Sequence, residues 1–163
     1  MKPCFLIVMG VSGSGKTAVG KALAAELGWE FYDADDFHPP ENIAKMERGI
    51  PLNDDDRSPW LAVLHDLIAS CLKASLPGVL ACSALKESYR QMLLAGNPAV
   101  QIVYLKGSYD LILSRMSIRS GHYMKPALLQ SQFAALEEPR NALTVDITLP
   151  VDKIVEKILS ILI

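Results

Sequence analysis

Apolar positions along this chain follow two rhythms that take turns. The unbroken apolar run at 4–10 ("CFLIVMG") has the continuity of a strand covered on both faces, and "VLACSA" at 79–84 and "VQIVYLKG" at 100–107 are strand-like too. Shorter segments at 29–35 ("WEFYDAD") and 143–148 ("LTVDIT") complete a set of five. Between them lie helical patterns. The first runs from Lys16 to Leu27, with Gly28 as its stop. A short helix over "PPENIAKMERG" has prolines at its start and Gly49 at its end. In "SPWLAVLHDLIASCLKAS" apolar residues at 60, 61, 64, 67, 68, 71 and 72 keep helical spacing, and Ser58 and Pro59 suit a cap and first turn. Helices are also expected in "KESYRQMLLAG", "SYDLILSRMSIRSG", "PALLQSQFAAL" and the closing "VDKIVEKILSILI", whose apolar end would pack on the sheet or at a subunit interface. Strands alternating with helices predict an α/β protein, a mostly parallel sheet with helices on both faces. Ligands of such sheets sit at the carboxyl ends of the strands, so residues just past each strand carry the chemistry.

Composition narrows the class without naming it. The 163 residues are one domain's worth, half of them hydrophobic and 21% charged. A net charge of −2 gives no basic surface for nucleic acid, and no apolar stretch has the length of a membrane span. The first apolar run leads straight into a glycine-rich loop, which fits a buried strand and not a signal peptide. Cys4, Cys71 and Cys82 are widely spaced, without a Cys-x-x-Cys pair, so they read as core residues of a cytoplasmic protein and not as a disulfide or zinc framework.

The loop "GVSGSGKT" at 10–17 matches Gly-x-x-x-x-Gly-Lys-Thr, with a strand before it and a helix after it. Its glycines let the backbone N–H groups of Gly10, Val11, Ser12, Gly13, Ser14 and Gly15 turn around phosphate at a helix N-terminus. Lys16 brings a point charge to the β/γ oxygens, and the Thr17 hydroxyl is offered to Mg²⁺. ATP is therefore the expected nucleotide. No Asn-Lys-x-Asp guanine-reading motif occurs, and the short chain favours a small-molecule kinase over a GTPase or motor. On the acceptor side, Asp33 and Asp35 end the second strand. If the strand stays extended, both carboxylates face one way at the ligand edge, where a kinase needs one for the acceptor hydroxyl and another for the metal. Arg115 and Arg119 share one helical face with no acidic residue three or four positions away, a pattern that suits a closing lid clamping phosphates.

The segments "DADDFHPPENIAKMERGIPLNDDDRSPWL", "ACSALKESYR", "VYLKGSYDLI" and "RSGHYMKPALLQSQFAALEEP", together with the phosphate loop, resemble the gluconokinases among the small P-loop kinases. The resemblance runs from Phe5 to about Pro139, and "HPPENIAKM", "LNDDDR" and "CSALK" are its most specific phrases. It implies ATP-dependent phosphorylation of D-gluconate at its 6-hydroxyl. It also implies five parallel strands, a mobile lid over about 116–126 in a single domain spanning 1–163, and in many members a homodimer. By further analogy with an Asp-x-Asp in shikimate kinases, Asp35 becomes the candidate base and Asp33 the residue near Mg²⁺.

Gluconate is an anion, so its pocket needs a cation. Arg57 is one candidate, against its reading as a surface arginine balanced by acidic neighbours. Lys86 is another, because a cation in the first turn of a helix opposes the helix dipole and a ligand anion would relieve the conflict. His38, Asn42, Lys45 and Arg48 fall on the short helix after the aspartates and are candidates for the pocket wall. His122 fits a lid hinge or substrate contact. The resemblance also has one lid arginine stacking on adenine, which assigns Arg115 to the nucleotide and Arg119 to catalysis, with "EEPRN" at 137–141 passing close by. Two alternatives stay open: a kinase of shikimate or a nucleotide, and an ATP-binding regulator without turnover.

Overall fold

The computed structural model describes residues 2–118 and 126–162, with side chains for 2–116 and 127–162. Five strands, β1 (Phe5–Met9), β2 (Glu30–Asp33), β3 (Gly78–Ala81), β4 (Val100–Lys106) and β5 (Leu143–Asp146), form one sheet in the order β2-β3-β1-β4-β5. Every pairing is parallel. Among the described residues, seven α-helices join them: α1 (Lys16–Leu27), α2 (Pro40–Glu47), α3 (Asp54–Lys73), α4 (Glu87–Leu94), α5 (Tyr109–Ile118), α6 (Pro126–Ala135) and α7 (Val151–Leu162). Among the described residues, no helix is long and apolar enough to cross a membrane.

The period of two in β1 divides one apolar run between two cores. Leu6 and Val8 pack with Val19 and Leu23 of α1 and with Ile154 and Ile158 of α7. Phe5, Ile7 and Met9 pack on the other face with Trp60, Leu61, Leu64 and Ile68 of α3 and with Leu93 of α4. All five residues of β1 are buried, so the central strand is continuous apolar sequence for a physical reason. The phosphate loop leaves its carboxyl end, between β3 and β4, where the sheet order places a crevice.

At two boundaries that differ from the sequence reading, a side-chain cap prevails. Helix α3 starts four residues earlier than Ser58. Asn53 caps it, its side chain accepting from the Asp56 N–H at 2.8 Å, while the Asp56 carboxylate accepts from the Asn53 N–H at 2.9 Å. This reciprocal capping box satisfies two N-terminal donors and leaves Pro59 inside the helix. Strand β2 stops at Asp33, whose carboxylate accepts from the Asp35 N–H at 3.0 Å and caps a 3₁₀ turn over Ala34–Phe37. The extended-strand argument for Asp33 and Asp35 sharing a face therefore fails. A turn brings them to the ligand edge instead.

Arg90 braces that edge from behind. Only 2% exposed, it donates to the carbonyls of Ala84 (2.8 Å), Leu85 (3.0 Å) and Glu137 (2.7 Å) and to Glu87 Oε2 (2.9 Å). It thus ties the loop after β3 to the segment between α6 and β5. Arg90→Met keeps much of the volume but removes the donor from the Ala84 and Glu137 carbonyls, while Leu85 O keeps the Glu137 N–H at 2.8 Å, so it is expected to destabilise the fold by about 3 kcal/mol. Urea unfolding measures this, and a change below about 1 kcal/mol would mean the carbonyls find other partners.

Candidate active site

The carboxyl ends of β1, β2 and β3 open onto a cleft of about 990 Å³. Its donor side is the loop at 10–15. Gly13 (φ +80°) and Gly15 (φ +96°) adopt left-handed backbone that a side chain would strain. A Cβ at Gly10 would come within 2.5 Å of Ser14 Oγ. That hydroxyl is buried and has no hydrogen-bond partner. Gly15 precedes helix α1 as an N-cap that offers no side-chain hydrogen bond, so the first N–H groups of the helix lack a capping side chain at the loop. An orphaned buried hydroxyl, an uncapped helix start and a tight glycine turn fit a bound phosphate chain. Lys16 Nζ donates to Val11 O at 3.0 Å. Burial lowers its pKa, while the nearby charges of Asp35 and Asp33 act in the opposite sense.

Asp33 and Asp35 line the same cleft, across from Lys16. Solvent reaches the Asp35 carboxylate through the cleft mouth. Even so, the surrounding protein, and after it the charge of Asp33, push its pKa above the ordinary aspartate value, against the pull of Lys16. Thr17 also lines the cleft. Among the described residues no group of three or more His, Cys, Asp or Glu could hold a metal by itself. One carboxylate and one hydroxyl beside a phosphate loop suit an ion that arrives with its phosphates and keeps most of its waters.

His38 and Arg57 belong to the cleft wall. The His38 ring stacks on Trp60, with centroids 4.2 Å apart and planes 13° apart, and its Nε2 lies 3.8 Å from Asp35 Oδ1. Trp60 is itself pinned by its Nε1–H on Ala34 O at 2.7 Å. Arg57 donates to Leu52 O at 2.7 Å and to the Tyr89 hydroxyl at 3.2 Å. Its acidic neighbours Asp54 and Asp56 are engaged elsewhere: Asp56 holds Lys45 at 2.8 Å, and Asp54 accepts from Tyr89 and from Lys86, the latter at 3.0 Å.

Lys86 therefore has an internal partner. It is the residue before the first turn of α4, it pairs with Asp54, and it is absent from the cleft lining. The open N–H of Glu87 is taken by Glu137 Oε1 at 2.8 Å. Protein carboxylates thus meet the needs that the sequence suggested a ligand anion would meet. Arg48 is exposed at the end of α2 and also outside the lining, as are Lys45 and the buried Asn42. Arg115 does line the cleft, with Nη2 donating to Ile147 O at 2.6 Å. Arg119, His122 and the rest of 119–125, within the lid expected over 116–126, lie outside the described residues.

Sequence reasoning missed Gln132, whose Oε1 accepts from the Ser12 N–H at 2.6 Å across 120 residues of chain. It also missed Trp60 as a site residue, since helical spacing marked it only as core. Cys82 lines the cleft too, but burial pushes its thiol up to about 12, so it stays protonated and unreactive.

Comparison with known proteins agrees with this geometry. The family model described as shikimate kinase matches residues 12–157. The chain is 52% identical to the thermosensitive gluconokinase of Escherichia coli K12, over 82% of this chain and 72% of that one. With the thermoresistant gluconokinase of the same organism it shares 43% identity over 96% of this chain and 91% of that one. A gluconokinase crystal structure from Sinorhizobium meliloti 1021 superposes with a TM-score of 0.91 at 46% identity, covering 98% of this chain and 91% of that chain. A shikimate kinase from Acinetobacter baumannii, at 19% identity and TM-score 0.58, shares the fold. The chain belongs to the gluconokinases, within the wider family that the shikimate kinase model describes.

Proposed function

We propose that this enzyme transfers the γ-phosphoryl group of ATP to the 6-hydroxyl of D-gluconate, giving 6-phosphogluconate and ADP. The observation that carries this is a single cleft with a phosphate loop on one side and Asp35, His38 and Arg57 on the other. The names of its relatives supply the acceptor's identity. Loop N–H groups, the Ser14 hydroxyl and Lys16 hold the phosphates, Arg115 reaches the nucleotide side, and Arg57 faces the gluconate carboxylate. Thr17 and Asp33 would hold Mg²⁺, which supplies charge neutralisation on the β/γ oxygens when bound. Asp35 takes the acceptor proton. Transfer is in line, and the protein contributes positioning and electrostatics. Arg119 and His122 join this reading on sequence grounds, as does closure over the cleft. The three cysteines are free, which suits a reducing cytoplasm.

The test is ATP consumption with Mg²⁺ against gluconate, shikimate, other sugar acids, nucleoside monophosphates and no acceptor. A response to gluconate, with 6-phosphogluconate identified as product, is the expected result. Turnover with another acceptor alone would overturn the substrate and keep the kinase. ATP binding without turnover on any acceptor would overturn the reading as an enzyme of this class.

A further inference from the structure

We propose that Asn42 is a positioning residue that locks His38 as its Nε2–H tautomer, so that His38 donates a hydrogen bond to the oxygen of the acceptor hydroxyl while Asp35 takes the proton. The second half of this statement rests on the kinase reading above. The first half does not.

Asn42 is 2% exposed, and its Nδ2 lies 2.8 Å from the backbone oxygen of Asp56. A peptide oxygen only accepts, so the amide nitrogen, and not the amide oxygen, must face it. The second N–H of the same nitrogen points at His38 Nδ1, 3.2 Å away. Nδ1 must therefore present a lone pair. The opposite tautomer would set N–H against N–H around a ring whose side chain is only 4% exposed. With Nδ1 bare and the ring neutral, the proton sits on Nε2. That nitrogen faces Asp35 Oδ1 at 3.8 Å, too far for a direct hydrogen bond.

Neutrality has its own support. Around His38 stand the Arg57 guanidinium and the uncharged face of Trp60 from α3, and the Asp35 carboxylate from the 3₁₀ turn. The Asp56 carboxylate, in contrast, is engaged with Lys45. Burial, then the Arg57 charge, pulls the His38 pKa down to about 4.

A division of labour follows. His38 offers no lone pair toward Asp35, so it cannot be the base. It can hold the hydroxyl oxygen from one side while the hydroxyl's own hydrogen points to Asp35, which leaves an oxygen lone pair free for the γ-phosphorus. In the transfer the O–H bond breaks, its proton passes to an Asp35 carboxylate oxygen, and an O–P bond forms. The bond from phosphorus to the bridging oxygen breaks, with its electron pair leaving on ADP. His38 keeps its proton throughout.

Imidazole ¹⁵N NMR on the full chain tests this directly. The protein has three histidines, and the His38 signals are those lost in His38→Gln. In the wild type at neutral pH, His38 should show a protonated, pyrrole-like Nε2 and a bare, pyridine-like Nδ1. A protonated Nδ1, or an imidazolium, overturns the lock whatever any variant does. In Asn42→Ala a mixture of tautomers should replace the single form, and an unchanged spectrum removes Asn42 from the explanation. Saturation with gluconate and a non-hydrolysable ATP analogue should shift His38 Nε2. A resonance that stays put on saturation overturns the hydroxyl contact.

In steady state, Asn42→Ala should lower kcat with gluconate about tenfold with little change in the KM for ATP. His38→Gln, which retains an N–H donor, should exceed His38→Ala in kcat by about the same factor. Equal losses in those two variants would overturn the donor role. If gluconate proves not to be a substrate, the tautomer result still stands or falls on the wild-type spectrum, which separates the two failures.

Discussion

Lys16→Met is expected to lower kcat by about 100- to 1,000-fold and to weaken ATP binding. Methionine keeps the length and much of the bulk of the stem, so the change removes charge and donors with little loss of packing. In the structure Lys16 Nζ rests on Val11 O, but that carbonyl also accepts from the Ser14 N–H at 3.2 Å and is not orphaned when lysine goes. Folding should therefore change little, which separates the catalytic loss from instability. The larger effect is electrostatic. Burial already disfavours the Lys16 charge, and the Asp33 and Asp35 carboxylates oppose that effect. A bound phosphate chain adds negative charge to the same cleft, with Lys16 the cation at the loop. Without it, negative charge developing on the β/γ oxygens meets two carboxylates with less to balance them. Coupled measurement of ADP release, with calorimetry for ATP, checks both parts. Turnover within a few-fold of wild type would mean that the phosphates are not held at this loop.

What could be read from the sequence was what backbone geometry encodes locally. The phosphate loop is written in glycine spacing because its function is the path of its own backbone, and Gly13 and Gly15 have the left-handed angles that spacing implies. The inner strands β1 and β3 were visible because a buried parallel strand must be apolar on both faces. Helix α1 was bounded correctly for the same local reason, with Gly28 at φ +69° closing it. Errors began where a polar side chain had several local uses. Asp33 could extend a strand or cap a turn, and it caps. Asn53 and Asp56 made a better helix start than Ser58 and Pro59 because they satisfy each other reciprocally. Least visible were partners distant in sequence. Nothing near Lys86 announces Asp54, 32 residues away, and nothing in "PALLQSQF" singles out Gln132 as the residue that reaches Ser12. Asn42 stood among the pocket candidates, but its use depends on a carbonyl 14 residues on that only the packed α2–α3 pair supplies.

Asp35→Asn should separate binding from chemistry. The amide has the carboxylate's shape, and the fold asks nothing further of the Asp35 side chain: Asp33 caps the turn through the backbone N–H of Asp35, which asparagine retains. Loop, Lys16 and Thr17 are untouched, so ATP should bind with nearly wild-type affinity. What disappears is the proton acceptor. Asp35 is suited to that role because the cleft walls and the charge of Asp33 raise its pKa, so it holds a proton better than an ordinary aspartate. Asparagine cannot take the proton, and the His38 ring stacked on Trp60 offers it an N–H rather than a lone pair. The expected loss in kcat is about 10²- to 10⁴-fold, with the KM for gluconate changing far less. A smaller residual rate than in Lys16→Met would mean that deprotonating the hydroxyl limits transfer more than charge neutralisation does. The reverse order would fit a loose transition state in which the proton moves late and phosphate electrostatics dominate. Wild-type turnover in Asp35→Asn would remove Asp35 as the base, and the acceptor proton would then have to leave through water.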